Sequence, residues 1–168
     1  NYPSLLLGTV DMSPMEVLRL YQPFAANGFQ TSPRAIREVV DTHGKRLTRY
    51  GLDVKQVYDP AALYQVNFAL QQVMRTGTGA SAYQRLPGNL VMAGKTGTTN
   101  SQKDAWFLGY TPNVAAGVWV GFDDLRVLGD REQGARAALP IWIDTMQAAL
   151  RTRPVQNFIQ PAGVAIER

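Results

Sequence analysis

Leu90-Val-Met-Ala93 runs without a polar residue into Gly94-Lys95-Thr96-Gly97-Thr98-Thr99, and two incompatible local structures compete for that segment. The first is a phosphate-binding loop ending in Gly-Lys-Thr. Such a loop needs four residues between its two glycines and a helix immediately after it. Here Gly88 and Gly94 are separated by Asn-Leu-Val-Met-Ala, which is five residues and mostly apolar, and Gly97-Thr-Thr-Asn100 is a poor helix start. The second is a β-strand that carries Lys95, Thr96 and Gly97 toward a polar turn, and both flanks agree with it.

Taken alone, a Lys-Thr-Gly tripeptide reads first as a strand entering a turn. A strand of this composition also has a chemical use. Lys95 offers a cation to a substrate carboxylate and to proton management around a hydroxyl nucleophile. The hydroxyls of Thr96 and Thr98 can bond the same carboxylate. Gly97 lets a substrate backbone lie close along the strand edge, and a backbone N–H can point at a developing oxyanion. Strand alternation sets Lys95 and Gly97 opposite Thr96 and Thr98, so both sets contribute only to a site approached at the edge.

Working outward, Asp104–Tyr110 and Val114–Val120 read as two more strands joined by the turn Thr111-Pro-Asn113, an antiparallel meander with Leu90–Thr99. Leu139–Leu150 reads as a helix with Trp142, Ile143, Met146 and Leu150 on its core face. Upstream, Ser13-Pro14-Met-Glu16 predicts a capped helix. Pro23 should kink it or end it early, and Asn27-Gly28 should stop it. A hairpin is expected from Arg34–Val40 and Lys45–Tyr50, with His43 exposed in its turn. Asp59-Pro60 opens a second helix that ends at Arg75-Thr-Gly77, after which Gly77–Asn89 reads as a loop. From Pro154 onward an extended segment is expected, so residues 1–153 form the domain portion and 154–168 a linker.

Composition narrows the chemistry. The chain has 168 residues, a net charge of +4, no cysteine and one histidine, His43. Disulfides, thiolate metal sites, cysteine nucleophiles and a multi-histidine metal centre are excluded. The basic residues are scattered apart from Lys45, Arg46 and Arg49, so nucleic-acid binding is not expected. Asp123 and Asp124 lack a third acidic ligand at metal spacing and read as turn residues. No cofactor is expected.

Ala93–Asn100, followed by Asp104-Ala-Trp-Phe107, Gly109-Tyr-Thr-Pro112 and Val118-Trp-Val-Gly-Phe-Asp-Asp124, resembles the penicillin-binding proteins. It is most similar to the bifunctional class A members. The Lys-Thr-Gly box is shared with serine β-lactamases, and the Thr-Thr-Asn continuation with Asp-Ala-Trp-Phe points to the synthases. Leu6-Leu-Gly8, Ser13-Pro14, Gly77-Thr-Gly79 and Pro140-Ile-Trp142 also resemble family segments, so the likeness covers nearly the whole chain.

That resemblance implies a D,D-transpeptidase that cross-links peptidoglycan stem peptides through a serine acyl-enzyme and is acylated by β-lactams. Lys95 would be the box lysine, the Thr98 N–H an oxyanion donor, and Thr96, Gly97, Thr98 and Thr99 the substrate-binding residues. It implies an α+β architecture, an antiparallel sheet with helices packed on its faces, incomplete at its N-terminal side. One family requirement is missing. Three residues after Ser4, Ser13, Ser32, Ser81 and Ser101 stand Leu7, Glu16, Ala35, Gln84 and Asp104, so there is no Ser-x-x-Lys, and no Ser-x-Asn either. In the family both boxes lie upstream, as do the glycosyltransferase domain and the membrane anchor that holds the enzyme at the periplasmic face of the cytoplasmic membrane. The expected partners are therefore the upstream half of the same domain, stem peptides and β-lactams. The alternatives are a fragment of a serine β-lactamase or D,D-carboxypeptidase, and a non-catalytic interaction module.

Overall fold

The computed structural model describes residue 3 and residues 10–165. Leu6-Leu-Gly8 and Ser4 lie outside the described residues.

Helix α1 spans Pro14–Ala25. Its start is a reciprocal cap: the Glu16 N–H donates to Ser13 Oγ at 3.3 Å, and the Ser13 N–H donates to Glu16 Oε2 at 2.8 Å. The backbone donor of Ser13 holds the Glu16 carboxyl below its ordinary range. Pro23 does not end the helix: it lies inside, the chain stays helical to Ala25, and the Ala26 N–H still donates to Gln22 O at 3.1 Å. Asn27 and Gly28 then take φ of 52° and 93°, the left-handed pair that turns the chain.

Strands β1 (Phe29–Thr31), β2 (Glu38–Val40), β3 (Arg46–Arg49) and β4 (Val54–Gln56) follow. The expected hairpin is β2–β3, its turn closed by Asp41 Oδ1, which accepts the N–H groups of His43 and Lys45. It forms only from Glu38 onward, and β1 and β4 bracket it as a second antiparallel pair. Three-residue strands such as Phe-Gln-Thr carry too little alternation to announce themselves.

Helix α2 is Pro60–Arg75, capped by Asp59 through the Ala62 N–H at 2.9 Å. The segment Gly77–Asn89 is not all loop, because Ala80–Gln84 makes a 3₁₀ turn.

The main sheet is β5 (Ala93–Thr98), β6 (Asp104–Thr111) and β7 (Val114–Gly121), an antiparallel meander in the order β5-β6-β7. Strand β5 begins three residues after Leu90. Leu90 and Met92 are buried in the core below the sheet, and Tyr83 Oη, not a neighbouring strand, donates to Leu90 O. Their apolarity reports packing, not sheet pairing. A π-helical turn, Gly134–Ala138, leads into α3, Leu139–Leu150.

Directly opposed residues share a face. Lys95 and Gly97 thus lie on one face with Trp106, Leu108 and Trp119, and Thr96 and Thr98 lie on the other with Ala105 and Phe107. Leu18 of α1 covers the first face near Gly117. The second holds the core, where Phe107, Trp142, Met146, Met74 and Leu86 pack together. Trp142 Nε1–H is shared between Gly109 O and Ala116 O at 3.3 and 3.2 Å, which ties α3 to two strands. The result is an antiparallel sheet with helices on both faces. No described helix is long and apolar enough to cross a membrane.

Candidate active site

Among the described residues β5 is an edge strand. The Thr99 N–H donates to Asp104 O at 3.1 Å. With antiparallel alternation, this directs the backbone groups of the odd-numbered residues of β5 at β6 and those of Thr96 and Thr98 at the open edge. The Lys95 ammonium folds over the same edge and donates to Thr96 O at 2.8 Å. Lys95 and Thr98 are both exposed, while Thr96 and Gly97 are half-buried.

The hydroxyls differ in what holds them. Thr96 Oγ1 lies 3.0 Å from Thr78 Oγ1. Thr98 Oγ1 accepts the N–H of Gly134 at 3.2 Å. The Thr99 hydroxyl is committed to the loop after β5: it donates to Asp104 Oδ2 at 3.1 Å and accepts the Asp104 N–H at 2.9 Å. Asp104 Oδ1 in turn accepts Trp119 Nε1–H at 2.8 Å, so one carboxylate joins the starts or ends of all three strands.

A cleft of about 810 Å³ opens beside this edge. Pro14, Val17, Leu20 and Tyr21 of α1 line one side; Lys95, Thr96, Gly97, Trp106, Leu108 and Trp119 line the other. Lys95, Thr96, Gly97 and Thr99 line this cleft, whereas Thr98 does not. The cleft leaves Leu20 and Trp119 exposed at 47% and 37%. Apolar surface of this kind, continuous with polar groups, marks a binding face.

Ser13 is engaged as the helix cap, and none of the five serines has lysine three residues on. Asp124 pairs with Arg126 at 3.2 Å in the turn after β7. Two residues at the site escaped the sequence reading. Thr78 lies in Gly77-Thr-Gly79, visible as a familiar segment but without an evident partner. Gly134 has no local signal, because its neighbour in space is 36 residues away.

A Lys-Thr-Gly strand at a sheet edge, flanked by an open cleft and backed by a C-terminal helix, defines the penicillin-recognising class of α+β protein. Comparison with known proteins agrees. The family described as penicillin binding protein transpeptidase domain matches residues 4–139. Penicillin-binding protein 1A of Neisseria lactamica is 37% identical over 96% of this chain and 21% of its own length. The crystal structure of penicillin-binding protein 1A from Haemophilus influenzae superposes with a TM-score of 0.88 at 28% identity, covering 96% of this chain and 30% of that one. PonA1 from Mycobacterium tuberculosis in complex with penicillin V superposes at 0.79 with 29% identity, over 96% and 44% of the two chains. The chain belongs to the penicillin-binding protein transpeptidase family. It spans about a fifth of the length of the curated relatives it matches.

Proposed function

We propose that this chain supplies the carboxylate-recognition strand of a class A peptidoglycan D,D-transpeptidase whose serine nucleophile and Ser-x-Asn box come from sequence upstream. The observation that carries this reading is Lys95 and Thr96 lining a cleft at the open edge of β5, with Thr98 exposed further along the same strand, in a chain without a Ser-x-x-Lys.

In this reading a stem peptide ending in D-Ala-D-Ala lies along β5. Lys95 and the hydroxyls of Thr96 and Thr98 hold its terminal carboxylate, and Gly97 leaves room for its backbone. The upstream serine attacks the scissile carbonyl. The Thr98 N–H, which faces the open edge, donates to the oxyanion as the tetrahedral intermediate forms. Expulsion of D-Ala leaves an acyl-enzyme, and an amine of a second stem peptide resolves it. A β-lactam acylates the same serine with its own carboxylate in the Lys95 subsite. Thr99 lines the cleft, and its side chain holds the loop after β5.

The upstream half of the domain packs against α1 and the exposed indole of Trp119, leaving the β5 side of the cleft to the peptide. The complete enzyme carries its glycosyltransferase domain and membrane anchor upstream as well, and works at the periplasmic face of the cytoplasmic membrane. Residues 154–165 form no helix or strand and run back over the sheet: Pro154 O accepts Asn113 Nδ2–H at 2.9 Å, and Phe158 rests on Tyr110 with ring centroids 5.7 Å apart.

The test is an intact mass spectrum of the complete enzyme with and without benzylpenicillin, followed by peptide mapping. One added penicillin on a serine outside these 168 residues supports the reading. An adduct within them, or none at all, overturns it.

A further inference from the structure

The π-helical turn Gly134–Ala138 meets β5 through Gly134, whose N–H donates to Thr98 Oγ1. Gly134 lies flat on the strand there. A Cβ at this position would stand 2.3 Å from Trp106 O and 2.7 Å from Gly97 O, closer than any side chain can approach backbone. Single π-turns of this kind recur where function requires an irregular backbone.

A threonine hydroxyl has one proton and two lone pairs. The Gly134 N–H occupies a lone pair of Thr98, and no described residue accepts the Thr98 proton. That proton is left for an acceptor arriving from outside, on an exposed side chain at the strand edge. We infer that Gly134 is a positioning residue: its N–H fixes the Thr98 hydroxyl as a donor toward an incoming carboxylate. The inference rests on the carboxylate-recognition reading of β5.

The contact explains why a segment 36 residues further along the chain must meet the Lys-Thr-Gly strand without a side chain. Without that N–H the hydroxyl is free to rotate and to serve water as acceptor. The ordering cost then falls on substrate binding.

The experiment is a double-mutant cycle in the complete enzyme, read as the second-order rate of acylation by a fluorescent penicillin. Gly134→Ala is one variant. The second replaces Gly134 by glycolic acid, which removes the N–H and adds no atom, so it carries the test if the alanine variant does not accumulate. Loss of one oriented hydrogen bond should slow acylation by about three- to tenfold, with the thermal midpoint unchanged in the glycolate protein. On a Thr98→Val background the same replacement should have no further effect, because the hydroxyl it orients is gone. A merely structural contact would lower the thermal midpoint of the glycolate protein and leave its acylation rate unchanged; that outcome, or rate losses that add in the double variant, would overturn the inference. Thr98→Ser, which keeps the hydroxyl and the Gly134 contact, should retain most of the rate. A parent enzyme that penicillin does not acylate would remove the site reading itself, and this inference with it.

Discussion

The phenol of Tyr110 donates to Asn67 Oδ1 at 2.6 Å, while Asn67 Nδ2 donates to Phe24 O at 2.9 Å. One buried amide therefore joins the end of β6, the middle of α2 and the end of α1, and it fixes where α1 stands over the cleft. Asn67→Ala leaves a buried phenol and a helix-terminal carbonyl unpartnered. The expected destabilisation is about 2–4 kcal/mol, each orphaned group costing about 1–3 kcal/mol. Urea unfolding of the complete protein measures it. A change below ~1 kcal/mol would mean that water replaces the amide and that α1 is held by packing alone.

The same tyrosine makes the protein sensitive to alkali. Burial, aided by the neighbouring Tyr21, pushes the Tyr110 hydroxyl well above its ordinary value of 10.0. The folded state therefore keeps a proton that the unfolded state loses from about pH 10 upward. Fewer protons on the unfolded chain mean that stability falls with rising pH, whereas below that value both states are protonated and Tyr110 contributes no slope. Tyr110→Phe should flatten the alkaline fall and leave the neutral-pH slope alone. Denaturation midpoints from pH 7 to 11 measure this, and an unaltered alkaline limb would assign the fall to other groups.

Asp104 offers a second test of how the site is held. Its two carboxylate oxygens accept from Thr99 and Trp119. Asn at 104 can serve only one of them as acceptor, and Ala serves neither. Asp104→Ala should cost about 0.5–1.5 kcal/mol, with Asp104→Asn roughly half as harmful, as the partners Thr99 and Trp119 are exposed to water. Both variants should also slow β-lactam acylation, since the loop from Thr99 to Asp104 sets the end of β5. Stability and acylation rate measured together separate the two effects. Loss of stability with an unchanged rate would show that the loop does not influence the strand edge.

Two glycines in neighbouring strands should respond differently to alanine. A Cβ on Gly109 would meet the Trp142 ring at 2.6 Å and Phe107 at 2.9 Å, both inside the packed core. A Cβ on Gly117 would meet Leu108 Cδ1 at 2.6 Å, the tip of a side chain that can rotate. Gly109→Ala should cost about 2–3 kcal/mol through overpacking and Gly117→Ala less than about 1 kcal/mol. Thermal unfolding ranks the pair, and equal costs would mean that the first face is packed as tightly as the second.

The elements with local chemistry were legible in the sequence. Ser13-Pro14 with Glu16 and Asp59-Pro60 carry helix starts in their own side chains, and α3 was visible from the spacing of Trp142, Ile143 and Met146. The meander around Thr111-Pro-Asn113 was legible because a tight turn leaves consecutive strands little choice of partner. What was missed depends on distant neighbours. Leu90 and Met92 read as strand because burial and sheet pairing select the same residue types. The β1–β4 pair brings together residues some 25 positions apart, with three-residue strands and no turn between them. At the site, the sequence placed Lys95, Thr96 and Thr98 on one strand but gave no sign of Thr78 or Gly134, whose roles exist only once the chain has brought them to that strand.

Lys95 is where geometry and proposed chemistry meet most directly. Its ammonium is exposed and makes one hydrogen bond, to Thr96 O on its own strand, and no carboxylate among the described residues pairs with it. Removing it strands no buried partner, so Lys95→Ala should leave the fold intact. If the cation serves substrate carboxylate and proton transfer at the serine, the same change should reduce β-lactam acylation of the complete enzyme by about 10²-fold or more. Lys95→Arg keeps a charge but presents a planar fork on a longer stem where a compact ammonium sat, so it should recover binding better than the acylation step. Stopped-flow acylation separates the two, with circular dichroism as the check on folding. Unchanged acylation by Lys95→Ala would remove Lys95 from the site and leave Thr96 and Thr98 as the only carboxylate donors on β5.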